Sequence, residues 1–245
     1  MRPESPPFDQ PGIPVLRGVD GCRGGWLALS TAPEGPLLAA VLHRDAADLL
    51  AGDWSLTAVD MPIGLPGATP RACDREARRL LGVRRSSIFP APPRVALEAG
   101  NHASASALCR QEQGVGMSVQ SFHLLAKIRD LDRALRADPT LVPRVLEVHP
   151  ELSFCLWNGG APLIHPKKSR EGLDQRIALV ETLFPGAWLE LRRRFRRSAV
   201  ADDDILDALA ALRSARRIHA GEALVLPSGI PVPRDGCGLP MAIRA

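Results

Sequence analysis

Apolar positions in the first sixty residues come in short runs rather than at helical spacing. VLRGVD (15–20), WLALST (26–31) and LLAAVL (37–42) are separated by two turn-rich stretches, GCRGG and APEGP. Short apolar runs bounded by glycine and proline predict strands. The short connections between them predict an antiparallel meander. DAADLLAG (45–52) predicts a helix. LTAVD (56–60) predicts a fourth strand, stopped by Met61-Pro62 and Gly64.

Further along, residues 70–82 predict a helix with a basic face, and 82–100 predict a loop carrying Pro90, Pro92 and Pro93. Helical patterns follow over 102–112 and 118–137. VLEVHP (145–150) predicts a strand, ELSFCLW a short helix, and NGGAPLIHPKKS a loop. Three more helices are predicted over roughly 170–183, 186–197 and 202–219, and the tail GLPMAIRA predicts an edge strand. This order predicts an α/β fold, a mixed sheet with three antiparallel strands followed by parallel ones and flanked by helices. It forms one domain over 14–245 with a helical insertion at about 70–140. A Pro-rich disordered lead-in over 1–13 precedes it.

Composition narrows this picture only a little. No apolar run reaches ~18 residues, so no transmembrane helix is expected. The N-terminus lacks the basic start and apolar stretch of a secretory signal. The five cysteines form no C-x-x-C pair, which argues against a zinc site or a disulfide framework and for a cytoplasmic setting. A net charge of +4 is compatible with a polyanionic partner. Of the 31 basic residues only Lys127, Lys167 and Lys168 are lysines. Arginine grips phosphate in bidentate fashion, but a GC-rich genome gives the same excess.

The acids change the picture more. Burying an ionised carboxylate without a partner is costly, yet Asp20 ends VLRGVD, Asp60 ends LTAVD, and Glu147 lies within VLEVHP. A fourth element is ADDDILDALAAL (201–212). At ~100° per residue, Asp204 and Asp207 share a face with Ala208, Ala211 and Ala215, a stripe small enough to lie close against a sheet. Asp202 and Asp203 are explained as N-terminal caps; Asp207, deeper in the helix, is not. Clustered carboxylates repel unless a cation sits between them. Hard oxygen ligands suit Mg²⁺ or Mn²⁺, and such ions activate water in phosphodiester cleavage. The expectation is that Asp20, Asp60, Glu147, Asp204 and Asp207 converge on a metal site.

GVDGCRGGW, VDMPIGLP, RACDREARRLLG, SSIFPAPPR, EVHPELSF, KKSREG and DDDILDALAAL, in this order, resemble a family of predicted RNase H-like nucleases (domain of unknown function 429). The resemblance covers residue 16 to about 244. It implies an RNase H-like fold: three antiparallel strands, a helix, a parallel strand, a helix and another strand. It implies a first acid in strand one (Asp20), a second near the end of strand four (Asp60) and a last one on a late helix beside strand one. The D-x-x-D-A-L-A run of Holliday-junction resolvases is similar to Asp204, Asp207 and the residues after them. Glu147 belongs to the family's E-x-H-P-E motif rather than to a standard nuclease position. Two departures, NHASASAL without an aromatic and Arg129-Asp130 where the family tends towards Glu, fall in the insertion.

The expected activity is a divalent-metal-dependent nuclease or phosphodiesterase acting on nucleic acid or a nucleotide-like phosphate substrate. Arg84, Arg85, Lys167, Lys168 and Arg170 are expected to hold phosphates, with Arg23 in GCRGG, whose amides offer a phosphate cradle. Two alternatives stand beside it. One is a non-catalytic nucleic-acid or nucleotide binder of the same fold. The other is a phosphotransferase related to actin-like ATPases, whose first phosphate loop GCRGG resembles. His149 stays open between a general base, a metal neighbour, a core histidine and a cap for the following helix, with Glu151 near that helix's positive end.

Overall fold

The computed structural model describes residues 13–245. The expected lead-in over 1–13 therefore lies, but for its last residue, outside the described residues. β1 (Leu16–Cys22), β2 (Gly25–Thr31) and β3 (Leu37–His43) form the antiparallel meander. After α1 (Ala46–Leu50), β4 (Leu56–Val59) pairs parallel with β1, and β5 (Val145–Glu147) pairs parallel with β4. The result is an α/β fold on a mixed five-stranded sheet, in the order β3-β2-β1-β4-β5.

Parallel neighbours need a crossover between them. The stretch between β4 and β5 supplies one and holds α2 (Ala72–Leu80), α3 (His102–Gln113) and α4 (Val119–Ala137). α5 (Pro150–Trp157), α6 (Arg170–Leu183), α7 (Ala187–Arg194) and α8 (Asp202–His219) follow β5. Near the end of the chain, β6 (Val225–Leu226) and β7 (Ile243–Arg244) pair with each other, and Arg244 bridges to Val148 just past β5. No helix among the described residues is long and apolar enough to cross a membrane.

The sheet is covered on both faces. Val19, Trp26, Ala28, Val59 and Val145 pack with Leu49 of α1 and with Ile128, Leu131 and Leu135 of α4. On the opposite face Leu27 and Leu29 pack with Leu206, Leu209 and Leu212 of α8. There Leu16, Ala58 and Val148 also meet Ala211 and Ala215. The alanine stripe has a physical reason at Gly18: a Cβ there would overlap the backbone of Leu212 and Ala208. Strand β1 and helix α8 thus touch backbone to backbone.

Two local readings change. Residues 82–100 are not loop throughout, since Gly82–Ser87 and Arg94–Glu98 wind into 3-10 turns. Asp20 lies inside β1 rather than at its end. Gly21 and Cys22 continue the ladder opposite Trp26 and Gly25, so GCRGG is a tight hairpin. Gly25, at φ 136°, sits so close to His43 that a Cβ would strike its carbonyl oxygen.

Candidate functional site

Side chains alternate across a strand, so Leu16, Gly18 and Asp20 share the face of β1 that α8 covers. Asp60 shares that face on the neighbouring strand. Val19 and Val59 are register partners, and the Asp60 amide donates to the Val19 carbonyl at 2.9 Å. The two acids are therefore neighbours one step further on. Gly18 lets α8 come down onto β1, which carries Asp207 to the same place. Asp20 is 7% exposed and Asp207 4%.

Electrostatics record the convergence. Burial, then the nearby Asp60 and Asp207, pushes the Asp20 carboxyl well above the usual carboxylate range. Burial, then Asp207, does the same to Asp60, and burial also raises Asp207. Among the described residues neither Asp20 nor Asp60 accepts a hydrogen bond on its carboxylate. Asp207 Oδ1 is buried with no partner.

The other Asp207 oxygen is engaged. Lys167, in the loop before α6, donates to Oδ2 at 2.7 Å and lies 3.4 Å from Asp203. Asp207 holds its ammonium above the ordinary lysine range. Lys167 was expected to hold phosphate; here it neutralises the acid cluster. As the side chains stand, no three His, Cys, Asp or Glu residues among the described ones are gathered tightly enough to hold an ion. The donor set still has the chemistry for a hard divalent cation, being two buried carboxylates and the half-buried Asp60, with one Asp207 oxygen orphaned. A cation there would compete with Lys167.

Glu147 does not stand as the free ligand expected. It follows the parity of Val145, away from the α8 face. Arg71 donates to both of its oxygens at 2.7 Å, and the Ile63 amide adds a third bond at 2.7 Å. Arg71 also pairs with Asp74 at 2.5 Å. Glu147 is the anchor of a buried ion network, which ties α2 to β5.

Asp204 lines the same cavity, with one oxygen engaged: its Oδ2 accepts from the Ala201 amide at 2.7 Å, a capping-box bond at the start of α8. Asp202, expected as the cap, instead pairs with Arg192 at 2.9 Å and Arg197 at 3.1 Å. Arg23 sits exposed at the hairpin tip, outside the acid cavity, and the Gly24 amide donates to the Ala199 carbonyl at 2.8 Å.

The acids line a cavity of about 530 Å³ that also takes in Arg84, Phe89, Gln120, His123, Lys167 and Lys168. Arg85 and Arg170 are exposed and do not line it. His149 does, but burial pushes its pKa down to about 4, so it is neutral at physiological pH. It occupies the N-cap position of α5 without a side-chain capping bond. Glu151, in the first turn of α5, is paired with the buried Arg176. Sequence reasoning missed Arg71, Asp74 and Arg176. The signal for the first two was present in RACD, where Arg71 and Asp74 are one helical turn apart.

A family model described as "Protein of unknown function (DUF429)" matches residues 18–231. Comparison with curated proteins gives no match, and neither does comparison with solved structures.

Proposed function

The chain belongs to the DUF429 family, and from that premise we propose that it is a divalent-metal-dependent phosphodiesterase of RNase H-like fold. The sheet order β3-β2-β1-β4-β5, antiparallel first and parallel after, supports the fold. So does α8, which brings its acid down beside β1. The observation that carries the activity is the buried, unpartnered Asp207 Oδ1, beside Asp20 and Asp60, to whose carboxylates no described residue donates and whose pKa values burial and carboxylate repulsion raise.

Asp20, Asp60 and Asp207 would hold Mg²⁺ or Mn²⁺. Such an ion supplies a water of lowered pKa and positive charge at the leaving oxygen. Arg84 and Lys168, on the wall of the same cavity, bind phosphate oxygens and turn the ester towards the acids. Neutral His149 leaves the local charge to these groups. Arg71, through Glu147, fixes the floor on which Asp60 stands.

A second reading, a binder without catalysis, is favoured by Lys167, which already neutralises Asp207. The two separate in one assay. Mg²⁺-dependent cleavage of DNA, RNA or a nucleotide phosphodiester is expected. It should vanish in Asp20→Asn, Asp60→Asn and Asp207→Asn while each variant stays folded. Cleavage that survives all three substitutions would refute the catalytic assignment, and binding without cleavage would establish the second reading.

A further inference from the structure

The acid cavity has the size of a small-ligand site. Its volume of about 530 Å³ falls within the ~300–1,000 Å³ of pockets that enclose one small molecule. Asp20 and Asp207 lie almost fully buried in its lining. A base paired within a duplex cannot enter a cavity of this size without leaving its stack. Two stretches of the insertion, 84–89 and 120–124, contribute to its walls.

The lining carries few free cations. Arg71 is committed to Glu147 and Asp74, and Lys167 to Asp207. Lys168 has no ion-pair partner among the described residues. Arg84 makes only a long 3.7 Å pair with Glu151, which Arg176 also holds, and its buried Nε has no partner. Two cations match one phosphate group. A protein that tracks a strand uses a basic groove over ~4–16 nucleotides. At the same wall Phe89 is 43% exposed, a large aromatic left open to solvent. Gln120 and His123, both exposed on the first turns of α4, offer amide and imidazole groups for a base edge.

We propose that this cavity accepts one unpaired nucleotide unit, with its base stacked on Phe89 and its phosphate held by Arg84 and Lys168. That unit belongs either to a free mononucleotide or to the end of a single strand. The proposal deepens the phosphodiesterase reading and rests on it for the position of the phosphate. Its test needs no turnover.

The full-length chain, in Ca²⁺ buffer, is titrated with the four nucleoside 5′-monophosphates and with a short single-stranded oligonucleotide. Covalently closed circular duplex is added as competitor. At least one monophosphate or the oligonucleotide should bind, and the circular duplex should not displace it. Phe89→Ala should weaken binding about tenfold, the usual size of one base–aromatic stack, and leave Mn²⁺ affinity unchanged. Monophosphates binding as well as the oligonucleotide identify the free nucleotide as ligand; a clear preference for the oligonucleotide identifies the strand end. Competition by circular duplex, an unaltered Phe89→Ala titration, or no binding of any single-stranded probe would overturn the proposal. Nucleotide binding in a protein that takes no Mn²⁺ would sink the metal reading and leave this one standing.

Discussion

The ammonium of Lys167 stands 2.7 Å from Asp207 Oδ2, so the acid cluster carries its own counter-charge. In that arrangement a divalent ion would have to compete with Lys167 for the same carboxylate. Lys167→Met should therefore raise Mn²⁺ affinity. It should also destabilise the metal-free protein, by about 1 kcal/mol once the partial exposure of Lys167 is allowed for. Urea unfolding with and without Mn²⁺ measures both. A drop in Mn²⁺ affinity would show that Lys167 assists the cation instead of competing with it.

The raised carboxyls make a prediction about pH. Asp60 has a folded-state pKa above its unfolded value of about 3.9. The folded state then binds more protons, and stability falls as pH rises from that value through the folded pKa. Asp60→Asn removes the penalty. In metal-free buffer it should be more stable than wild type at pH 8, by about 1.4 kcal/mol for each unit of upward shift. The gap should close towards pH 4 and shrink when Mg²⁺ is added. A gap independent of pH would mean that Asp60 is ionised at no cost in the fold.

Arg71 and Glu147 are both buried and bonded twice to each other. Glu147→Gln leaves the guanidinium short of a countercharge and should cost about 3–5 kcal/mol in chemical denaturation. Because Arg71 also neutralises buried Asp74, recovery of much of that loss should require replacing all three charges, Arg71→Met, Glu147→Leu and Asp74→Asn together. Mn²⁺ affinity should barely move in Glu147→Gln, in contrast to a ligand variant.

Gly18 is the point at which β1 and α8 meet. Gly18→Ala puts a methyl group into the backbone of Leu212 and Ala208, which has no side-chain freedom with which to yield. A loss of about 3 kcal/mol or more is expected, read from the thermal or urea midpoint. A neutral result would show that α8 can lift off the sheet.

Much of this fold was readable in the chain. The runs at 15–20, 26–31 and 37–42 became the meander almost residue for residue, because short apolar runs between turns leave few other options. The alanine stripe pointed correctly to a close helix–sheet contact. The site was less legible, because sequence shows where acids lie but not what else reaches them. Asp204 sits one turn before Asp207 on the same face, yet helix geometry lets only Asp204 bend back to the Ala201 amide. Glu147 is separated from Asp60 by strand parity, a signal present in VLEVHP once the facing of Val145 and Val148 is known. Its partner, 76 residues earlier in the chain, was invisible without the fold. The same holds for Lys167, whose loop position gave no hint that it folds over α8.

The central claim is that Asp20, Asp60 and Asp207 form a divalent-cation site, and a Mn²⁺ titration of the purified chain tests it most directly. Wild type should bind Mn²⁺. Asp20→Asn and Asp207→Asn should each weaken binding at least about tenfold, the minimum seen even for residues one shell further out, while Asp204→Asn should change it little. Wild-type protein that takes up no Mn²⁺, or Asp207→Asn that binds as tightly as wild type, would contradict the account.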